Sequence, residues 1–369
     1  QKVATKKFAE ENRLSVEQEE EKQVAARAAE LRKVFEKPFS CSQNEKSLTV
    51  FCLTWNLHAK LPRENFSDFL TIGEYDIYSI ATQECEKSIF KSVFAHSKVK
   101  WEAMLEKWFY GGDYIKVETA TLVATHLAVY MRRELLEKYG SRVHCSTLPT
   151  GFGDVIGNKG GCGVSFSLGS TSFAFLAAHF HAHEANVQQR NDDFDKINRT
   201  MPLKGGNSPF QKGRTAIAER FDRVFWSGDF NYRVMGNRRI VDALLSAGFH
   251  EVMLANDELL QQRAAHRTFQ GFSEGPIFFP PTYKFDTQSE SYDTSRKARI
   301  PSWTDRVLWR DRQNSGDKAT GLRLSETCIR KYDSIPAVRT SDHRAVFAVF
   351  ETSFHFSRDS PEHTLLGNT

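Results

Sequence analysis

The spacing of hydrophobic residues separates a helical beginning from a body rich in strands. Within residues 10–37, apolar side chains recur at Val24, Ala28, Leu31 and Phe35, which is the spacing of one face of an amphipathic helix. A proline follows and ends the pattern, because proline cannot continue a helix. We interpret this helix as one that docks on the body or links it to a further domain. Binding of a partner is the alternative.

Short apolar runs bounded by polar residues predict the strands of the body. They lie at residues 47–55, 76–81, 119–131, 142–148, 161–168, 172–179, 224–226, 303–309 and 345–350. Helical patterns lie at residues 87–109, 186–199, 240–247 and 257–266, and a surface loop is expected at 202–213. Nearly all-apolar strands interspersed with helices predict sheets that are covered by helices on their outer faces.

The composition narrows the choice of partners and of compartment. Fifty Lys and Arg against 46 Asp and Glu leave a formal charge of +4 over 369 residues, so binding of nucleic acid through bulk charge is not expected. No apolar run reaches the ~18 residues of a membrane-spanning helix. Six cysteines without a C-x-x-C pair argue against disulfides and structural zinc, and fit a reducing compartment. The first residue is Gln1, and we expect a fragment with neighbouring segments beyond it.

Polar side chains follow the ends of predicted strands, where ligand sites of sheet proteins collect. Asn56 ends one strand and Glu84 lies just beyond the next. If these strands are neighbours, an amide oxygen and a carboxylate meet at one edge, and Mg²⁺ favours such sparse oxygen ligation. An asparagine that only caps a turn is the alternative.

Three histidines at alternate positions form a second cluster. His179, His181 and His183 would share one face of an extended strand. A zinc hydrolase uses similar pairs, but the acidic residue that a dinuclear site needs does not follow. Donation of a hydrogen bond to a phosphate remains possible, as does a strand end without a particular function.

Later residues suit acid–base chemistry. Asp229 and Asn231 follow an apolar run at positions i and i+2, so an extended chain would point both to one side. They could activate a water and donate to the attacked group, although a simple turn is the alternative. Asp305 could hold His343 in one tautomer, as in hydrolases.

Basic residues beside glycine, proline and tyrosine mark loops that suit additional phosphates. The basic residues are Lys159, Lys284, Lys297 and Arg299, and Asn158 and Tyr283 stand beside them. Ordinary solvated lysines are the alternative. The run G-N-K-G-G is not a P-loop, because it lacks the spacing G-x-x-x-x-G-K-[ST].

Taken in order, these motifs resemble the inositol polyphosphate 5-phosphatases of the endonuclease/exonuclease/phosphatase superfamily. The motifs are T-W-N, Q-E, G-N-K-G-G, H-x-x-x-H, R-N-x-D, G-D-F-N-Y-R, P-T-Y-K-F-D, W-T-D-R-V-L-W and S-D-H. The resemblance implies a four-layer α/β/β/α sandwich of two packed mixed sheets, like that of DNase I. It implies a catalytic domain at residues 47–355, preceded by a helix and linker at 1–46 and followed by a flexible tail at 356–369.

The resemblance also implies removal of the D-5 phosphate of phosphoinositides or inositol polyphosphates, with Mg²⁺ and direct attack of water. Glu84, with Asn56 beside it, would bind Mg²⁺. Asp229 would activate the water, and Asp342 would lie near both. A phosphodiesterase of the same superfamily, acting on nucleic acid or sphingomyelin, is the alternative.

The remaining implied roles concern the substrate. His179 and Asn231 would bind the scissile phosphate, and His343, oriented by Asp305, would stabilise its oxygens. The outer residues would surround the neighbouring 4-phosphate: Tyr283, Lys284, Lys297 and Arg299 as its grip, with Asn158, Lys159, Arg190 and Asn191 flanking the pocket. Two departures from the family pattern, His181 and Thr304, concern the shape of the pocket.

The expected partners are lipid or soluble inositol phosphates. We expect a monomeric catalytic domain in the cytoplasm, peripheral at membranes, that makes transient contact with the membrane surface and does not bind nucleic acid. The glycine-rich loop at residues 150–157 carries Phe152 and Ile156. It is expected either to rest on the lipid surface or to fold onto the core.

Overall fold

The computed structural model describes residues 22–63, 70–85, 99–151, 159–206, 215–312 and 324–356. The strands are β1 Glu45–Asn56, β2 Ile77–Gln83, β3 Tyr114–Leu122, β4 Thr125–Arg132, β5 His144–Pro149, β6 Gly160–Leu168, β7 Thr171–His179, β8 Arg223–Asp229, β9 Ser273–Glu274, β10 Asp305–Asp311, β11 Cys328–Ile335 and β12 Ala345–His355. The helices are α1 at 22–36, α2 Val99–Phe109, α3 Arg133–Tyr139, α4 Val187–Thr200, α5 Ile217–Arg220, α6 Arg238–Ser246, α7 His250–Ala255 and α8 Glu258–Ala264.

The strands form two six-stranded mixed sheets. Their orders are β11-β12-β1-β2-β4-β3 and β5-β6-β7-β8-β10-β9. Each sheet has one central parallel pair, β1 with β2 and β7 with β8, and the other neighbours are antiparallel. β1 packs against β8 and β2 against β7. The carboxyl ends of both parallel pairs therefore meet at one end of the sandwich.

Most strands are buried on both faces, which explains their nearly continuous apolar sequences. On β1, Val50 and Cys52 point into the core between the sheets, whereas Phe51 and Leu53 pack beneath α2 on the outer side. On the second sheet, Trp226 packs with residues of α4, α5 and α8. The layers are thus helix, sheet, sheet and helix, and the predicted four-layer sandwich is confirmed.

One predicted strand is wrong. The apolar run at 119–131 is the hairpin of β3 and β4, whose turn contains Val123 with φ of 53°. The turn at Val123 and Ala124 contains no polar residue, so no sequence signal marks it. The sequence also failed to predict α3, α7 and β11. No described helix is long and apolar enough to cross a membrane.

The amino-terminal helix contacts the body mainly near its end. The ring of Phe35 lies 6.4 Å from that of Phe278, and Arg330 donates to the main-chain carbonyl of Phe35. Val24 and Leu31, which the helical pattern placed on the docking face, are exposed. The described helix begins at residue 22, so its predicted first turns lie outside the described residues, as does the tail after residue 356.

Candidate active site

The ends of β1 and β2 bring Asn56 and Glu84 to one edge of the first sheet. Asn56 is opposite Gln83 in the parallel register, and Glu84 is the next residue. Nδ2 of Asn56 donates to Oδ2 of Asp229 at 3.0 Å, and its Oδ1 accepts from the backbone N–H of His58 at 3.0 Å. The side chain of Glu84 is 33% exposed. The expected neighbours are therefore present, with one carboxylate open to solvent.

Asp229 ends β8 and lies in the middle of the site. Its Oδ1 accepts from the backbone N–H of Asn231 at 3.0 Å, and its Oδ2 lies 3.4 Å from Nε2 of His179. Burial, followed by the nearby carboxylate of Asp305, raises the pKa of Asp229 to about 6. A carboxylate with a pKa near neutrality can take a proton from water and later release it.

Asn231 lies beside Asp229 for a reason that the sequence did not predict. The strand ends at Asp229, and Asn231 has a left-handed backbone with φ of 57°. Alternation along an extended chain therefore does not apply, and the hydrogen bond to Asp229 brings the two together. Nδ2 of Asn231 donates to the carbonyl of Phe180 at 3.1 Å, and its Oδ1 accepts from Arg233 at 2.7 Å. The amide is thus held at both ends.

Asp305 and His343 form the predicted orienting pair. Nδ1 of the buried His343 lies 2.8 Å from Oδ2 of Asp305. The same oxygen accepts hydrogen bonds from the hydroxyls of Thr304 at 2.9 Å and Thr282 at 3.2 Å. Burial alone would lower the pKa of His343, but the carboxylate of Asp305 overcomes this and raises it to about 10. The imidazole is therefore protonated at neutral pH.

Tyr283 and Lys284 lie beside this pair. The rings of Tyr283 and His343 are 4.5 Å apart between centroids, and Lys284 donates to Oδ2 of Asp342. Oδ1 of Asp342 lies 3.2 Å from Nδ1 of His58. Burial would raise the pKa of Asp342, but positive charges, that of His343 first, hold it below its ordinary value. Asp342 is thus a charged group shared by two basic side chains.

His179 ends β7 with Lys159 against its ring. Nζ of Lys159 donates to Nε2 of His179. Burial, reinforced by Lys159, holds the pKa of His179 well below its ordinary value, and burial lowers the pKa of Lys159 to about 8. The ring of His179 is therefore neutral at pH 7. The structure places Lys159 against a predicted catalytic histidine, whereas the resemblance implied a position flanking the 4-phosphate pocket.

Arg190 and Asn191 are used inside the protein. The guanidinium of Arg190 is buried and donates to Glu258 and to three main-chain carbonyls. The amide of Asn191 is bonded to the side chains of Gln262 and Tyr232. These bonds join α4 to α8. The geometry supports a structural role for both residues and does not support the predicted contact with substrate.

The other predicted phosphate contacts are only partly described. Lys297 is exposed and Arg299 is half-buried, with its backbone N–H bonded to Asp293 at 2.9 Å. The backbone N–H of Asp293 in turn donates to the carbonyl of Lys284 at 2.8 Å. This loop therefore adjoins Lys284. Asn158 lies outside the described residues.

Two sets of donor atoms bear on metal binding. Ligand atoms of Asp229, Asp305 and His343 lie within 4.8 Å of one another. A protonated His343, however, has no lone pair to offer a metal, and its hydrogen bond to Asp305 already uses Nδ1. The oxygen atoms of Asn56 and Glu84 suit a hard cation such as Mg²⁺, and the exposed carboxylate is accessible to it.

The three alternate histidines do not share a face, because β7 ends at His179. Nδ1 of His181 lies 2.8 Å from Oδ2 of Asp193, which also accepts from the backbone N–H of His181. His183 is exposed and has φ of 76°. In the described part of the chain, these histidines do not form a metal-binding group.

Sequence reasoning missed two residues of the site. The guanidinium carbon of Arg233 lies 4.5 Å from the ring centre of Tyr283, and Nδ1 of His58 lies 4.0 Å from Oε2 of Glu84. Arg233 closes the motif G-D-F-N-Y-R, so the motif contained it. No pattern marked His58, whose position depends on a left-handed turn with φ of 48°.

Sequence comparisons relate the chain to known phosphatases. The family model described as Endonuclease/Exonuclease/phosphatase family 2 matches residues 53–349. Phosphatidylinositol polyphosphate 5-phosphatase type IV of Homo sapiens is 33% identical over 329 residues, which cover 86% of this chain and 48% of that protein. Type II inositol 1,4,5-trisphosphate 5-phosphatase of Mus musculus is 33% identical over 316 residues, 83% of this chain and 30% of that protein. The chain spans about half the length of these relatives or less.

Solved structures with a similar fold include an inositol polyphosphate 5-phosphatase domain. The inositol polyphosphate 5-phosphatase domain of a synaptojanin, in complex with inositol (1,4)-bisphosphate and a calcium ion, has a TM-score of 0.69 and 28% identity, covering 89% of each chain. A Cimex nitrophorin has a TM-score of 0.65 and 21% identity, covering 84% of this chain and 99% of its own. The second likeness shows the fold alone, so the function must be argued from the site.

Proposed function

The chain belongs to the endonuclease/exonuclease/phosphatase family, and we propose that it hydrolyses the D-5 phosphate of phosphoinositides or soluble inositol polyphosphates. The names of the relatives and the inositol bisphosphate bound to the synaptojanin domain support this proposal. One observation carries it. The buried Asp229, whose pKa is raised to about 6, lies near the protonated imidazole of His343. The site therefore offers a base for the attacking water and a positive charge for the phosphate.

In the proposed reaction, water attacks phosphorus and Asp229 accepts its proton. The bond between phosphorus and the inositol oxygen breaks as the new bond forms, and the released alkoxide is protonated by solvent. Asn56 orients the base by its hydrogen bond to Oδ2, and the backbone N–H of Asn231 holds Oδ1. No covalent enzyme intermediate is required.

Three side chains would bind the phosphoryl oxygens. His343 offers a positive charge at neutral pH, fixed in direction by Asp305. His179 is neutral; to bind a phosphoryl oxygen it would donate from Nε2, in place of the hydrogen bond that this atom accepts from Lys159. Asn231 uses one hydrogen of Nδ2 for the carbonyl of Phe180, which leaves the second for an oxygen of the substrate. Such preorganised groups stabilise the charge that develops in the transition state.

Glu84, with Asn56 beside it, would hold Mg²⁺, which neutralises phosphoryl charge when bound. The partly exposed carboxylate of Glu84 and the oxygen ligands that Glu84 and Asn56 offer support this choice. Asp342 contacts Lys284 and His58, and His58 also lies 4.0 Å from Glu84. Asp342 would therefore add negative charge to this edge. Lys284 and Tyr283 would contact the 4-phosphate of the inositol ring.

The proposal includes a cellular setting. Because phosphoinositides are membrane lipids, we expect a cytoplasmic protein that is peripheral at membranes and touches their surface transiently, acting as a monomeric domain without nucleic acid. The predicted lipid contact of Phe152 and Ile156 lies outside the described residues and stays a prediction.

A phosphate-release assay tests the proposal. Purified protein is offered inositol phosphates and phosphoinositides with and without a 5-phosphate, each with Mg²⁺ and with EDTA. Single-stranded DNA and sphingomyelin serve as diester substrates. Release is expected only from substrates with a 5-phosphate and only with Mg²⁺. Cleavage of a diester with similar efficiency would favour the phosphodiesterase, and loss of a different phosphate would contradict the assignment.

A further inference from the structure

The helical hairpin of α6 and α7 has an apolar outer face. Val241 and Met253 are buried and join the hairpin to the core. The exposed apolar residues on the outside, here called the α6–α7 face, are Met235, Ile240, Ala243, Ala247, Phe249 and Val252. Ile240 is 62% exposed and Phe249 is 49% exposed. Exposed helix positions are normally polar, so this face is unusual for a surface in contact with water alone.

Unpaired cations border this face. Arg239 is exposed on α6. The acidic side chains nearby are Asp242, which is 48% exposed and pairs with Arg238 at 2.7 Å, and Glu251, which is half-buried. Arg296 and Lys297 are exposed in the loop at 293–299. Arg238 ties that loop to α6 by donating to the main-chain carbonyl of Arg299 at 2.8 Å. Within the described ranges, no ion pair involves Arg239, Arg296 or Lys297.

The same face adjoins the candidate active site. Met235 is 51% exposed and lies two residues after Arg233, whose guanidinium covers the ring of Tyr283. The loop at 293–299 also contacts the site, since the backbone N–H of Asp293 donates to the carbonyl of Lys284. The α6–α7 face is therefore connected to the site at both of these points.

We propose that the α6–α7 face docks on the surface of an anionic lipid membrane. Its apolar side chains enter the boundary between head groups and acyl chains, and the bordering cations attract the anionic lipids. This inference rests on the proposed function, because the site beside the face would then receive a lipid head group. A second copy is a poorer occupant, since a two-fold interface would bring Arg239 and its neighbours close to their own copies.

Co-sedimentation with vesicles tests the proposal. The vesicles contain phosphatidylcholine and phosphatidylserine without phosphoinositide, so that binding does not depend on the active site. The double variant Ile240→Ser/Phe249→Ser is expected to bind roughly tenfold more weakly, because two large apolar side chains are lost from the contact. Val24→Ser/Leu31→Ser is the matched control: these α1 residues are 42% and 44% exposed, and binding should not change.

A charge variant provides a second measurement that does not alter packing. Arg239→Glu should weaken binding to anionic vesicles severalfold and leave binding to pure phosphatidylcholine unchanged. Normal anionic-vesicle binding by either this variant or the double variant would overturn the proposal. The proposal would also be overturned if the wild type were a dimer and the double variant a monomer, because a second copy would then occupy the face.

Activity separates this inference from the proposed function. The double variant should release phosphate from soluble inositol trisphosphate within about twofold of the wild-type rate, but lose turnover of vesicle lipid in step with binding. Equal loss on soluble substrate would overturn the docking role. If the wild type binds vesicles but releases no phosphate from any substrate, the proposed function fails and the docking surface stands.

Discussion

Nδ1 of His343 lies 2.8 Å from Oδ2 of Asp305, and this contact joins the two sheets at their shared edge. His343 lies two residues before β12 of the first sheet, whereas Asp305 begins β10 of the second. The carboxylate fixes the ring and keeps it protonated. A positive charge is thereby built into the site by residues that are far apart in the sequence.

Replacing Asp305 with Asn should remove this charge. The pKa of His343, now about 10, should fall because the amide cannot stabilise the imidazolium. We expect kcat to fall roughly a hundredfold or more, with a smaller change in KM. NMR titration of His343 gives the direct readout: in the wild type its charge persists through neutral pH and is lost as pH rises through about 10. Titration near 10 in the variant would mean that other groups hold the proton.

Lys284→Ala should discriminate between substrates. Substrates with a 4-phosphate should show KM raised by roughly tenfold, because a charge-assisted contact is lost, while those without it should change little. Lys138→Ala, which removes an exposed lysine of α3, is the control. Equal losses for both classes of substrate would place the 4-phosphate contact elsewhere.

Glu84→Gln should weaken metal binding while preserving side-chain size. In the wild type, Mg²⁺ should raise the thermal midpoint, and EDTA should reverse the rise. The variant should show a much smaller shift and roughly a hundredfold lower kcat. Glu134→Gln, on the exposed side of α3, should behave as wild type. If Mg²⁺ raised the thermal midpoint of Glu84→Gln as much as that of the wild type, the ion would be bound by other ligands, such as Asp229 with its neighbours.

A buried ion network should govern stability. Arg306 is buried and donates to Asp257 at 3.0 Å and to Glu274 at 2.6 Å. Asp257→Asn should lower the free energy of unfolding by about 3–5 kcal/mol, because the buried guanidinium of Arg306 loses one of its two negatively charged partners. Urea unfolding measures this loss. Asp195→Asn, which breaks the exposed pair with Arg199, should have no measurable effect, and similar losses in the two variants would contradict the network's role.

Much of the fold could be predicted because strands buried on both faces leave apolar runs between polar residues. The hairpin at 119–131 could not, since its turn at Val123 carries no polar residue. The order of motifs predicted the pair Asp305 and His343, whose contact the structure confirms. Sequence alone could not predict that Arg190 is directed inward, because this depends on Glu258, far along the chain.

Asp229 is central to the proposed chemistry, and single-turnover hydrolysis of inositol 1,4,5-trisphosphate in heavy-oxygen water tests it most directly. The wild type should release phosphate that carries the solvent oxygen and leave the inositol product unlabelled. Asp229→Asn, folded and still responsive to Mg²⁺, should react roughly a thousandfold more slowly. A near-normal rate in this variant, or solvent oxygen in the inositol product, would contradict direct attack by a water that Asp229 activates.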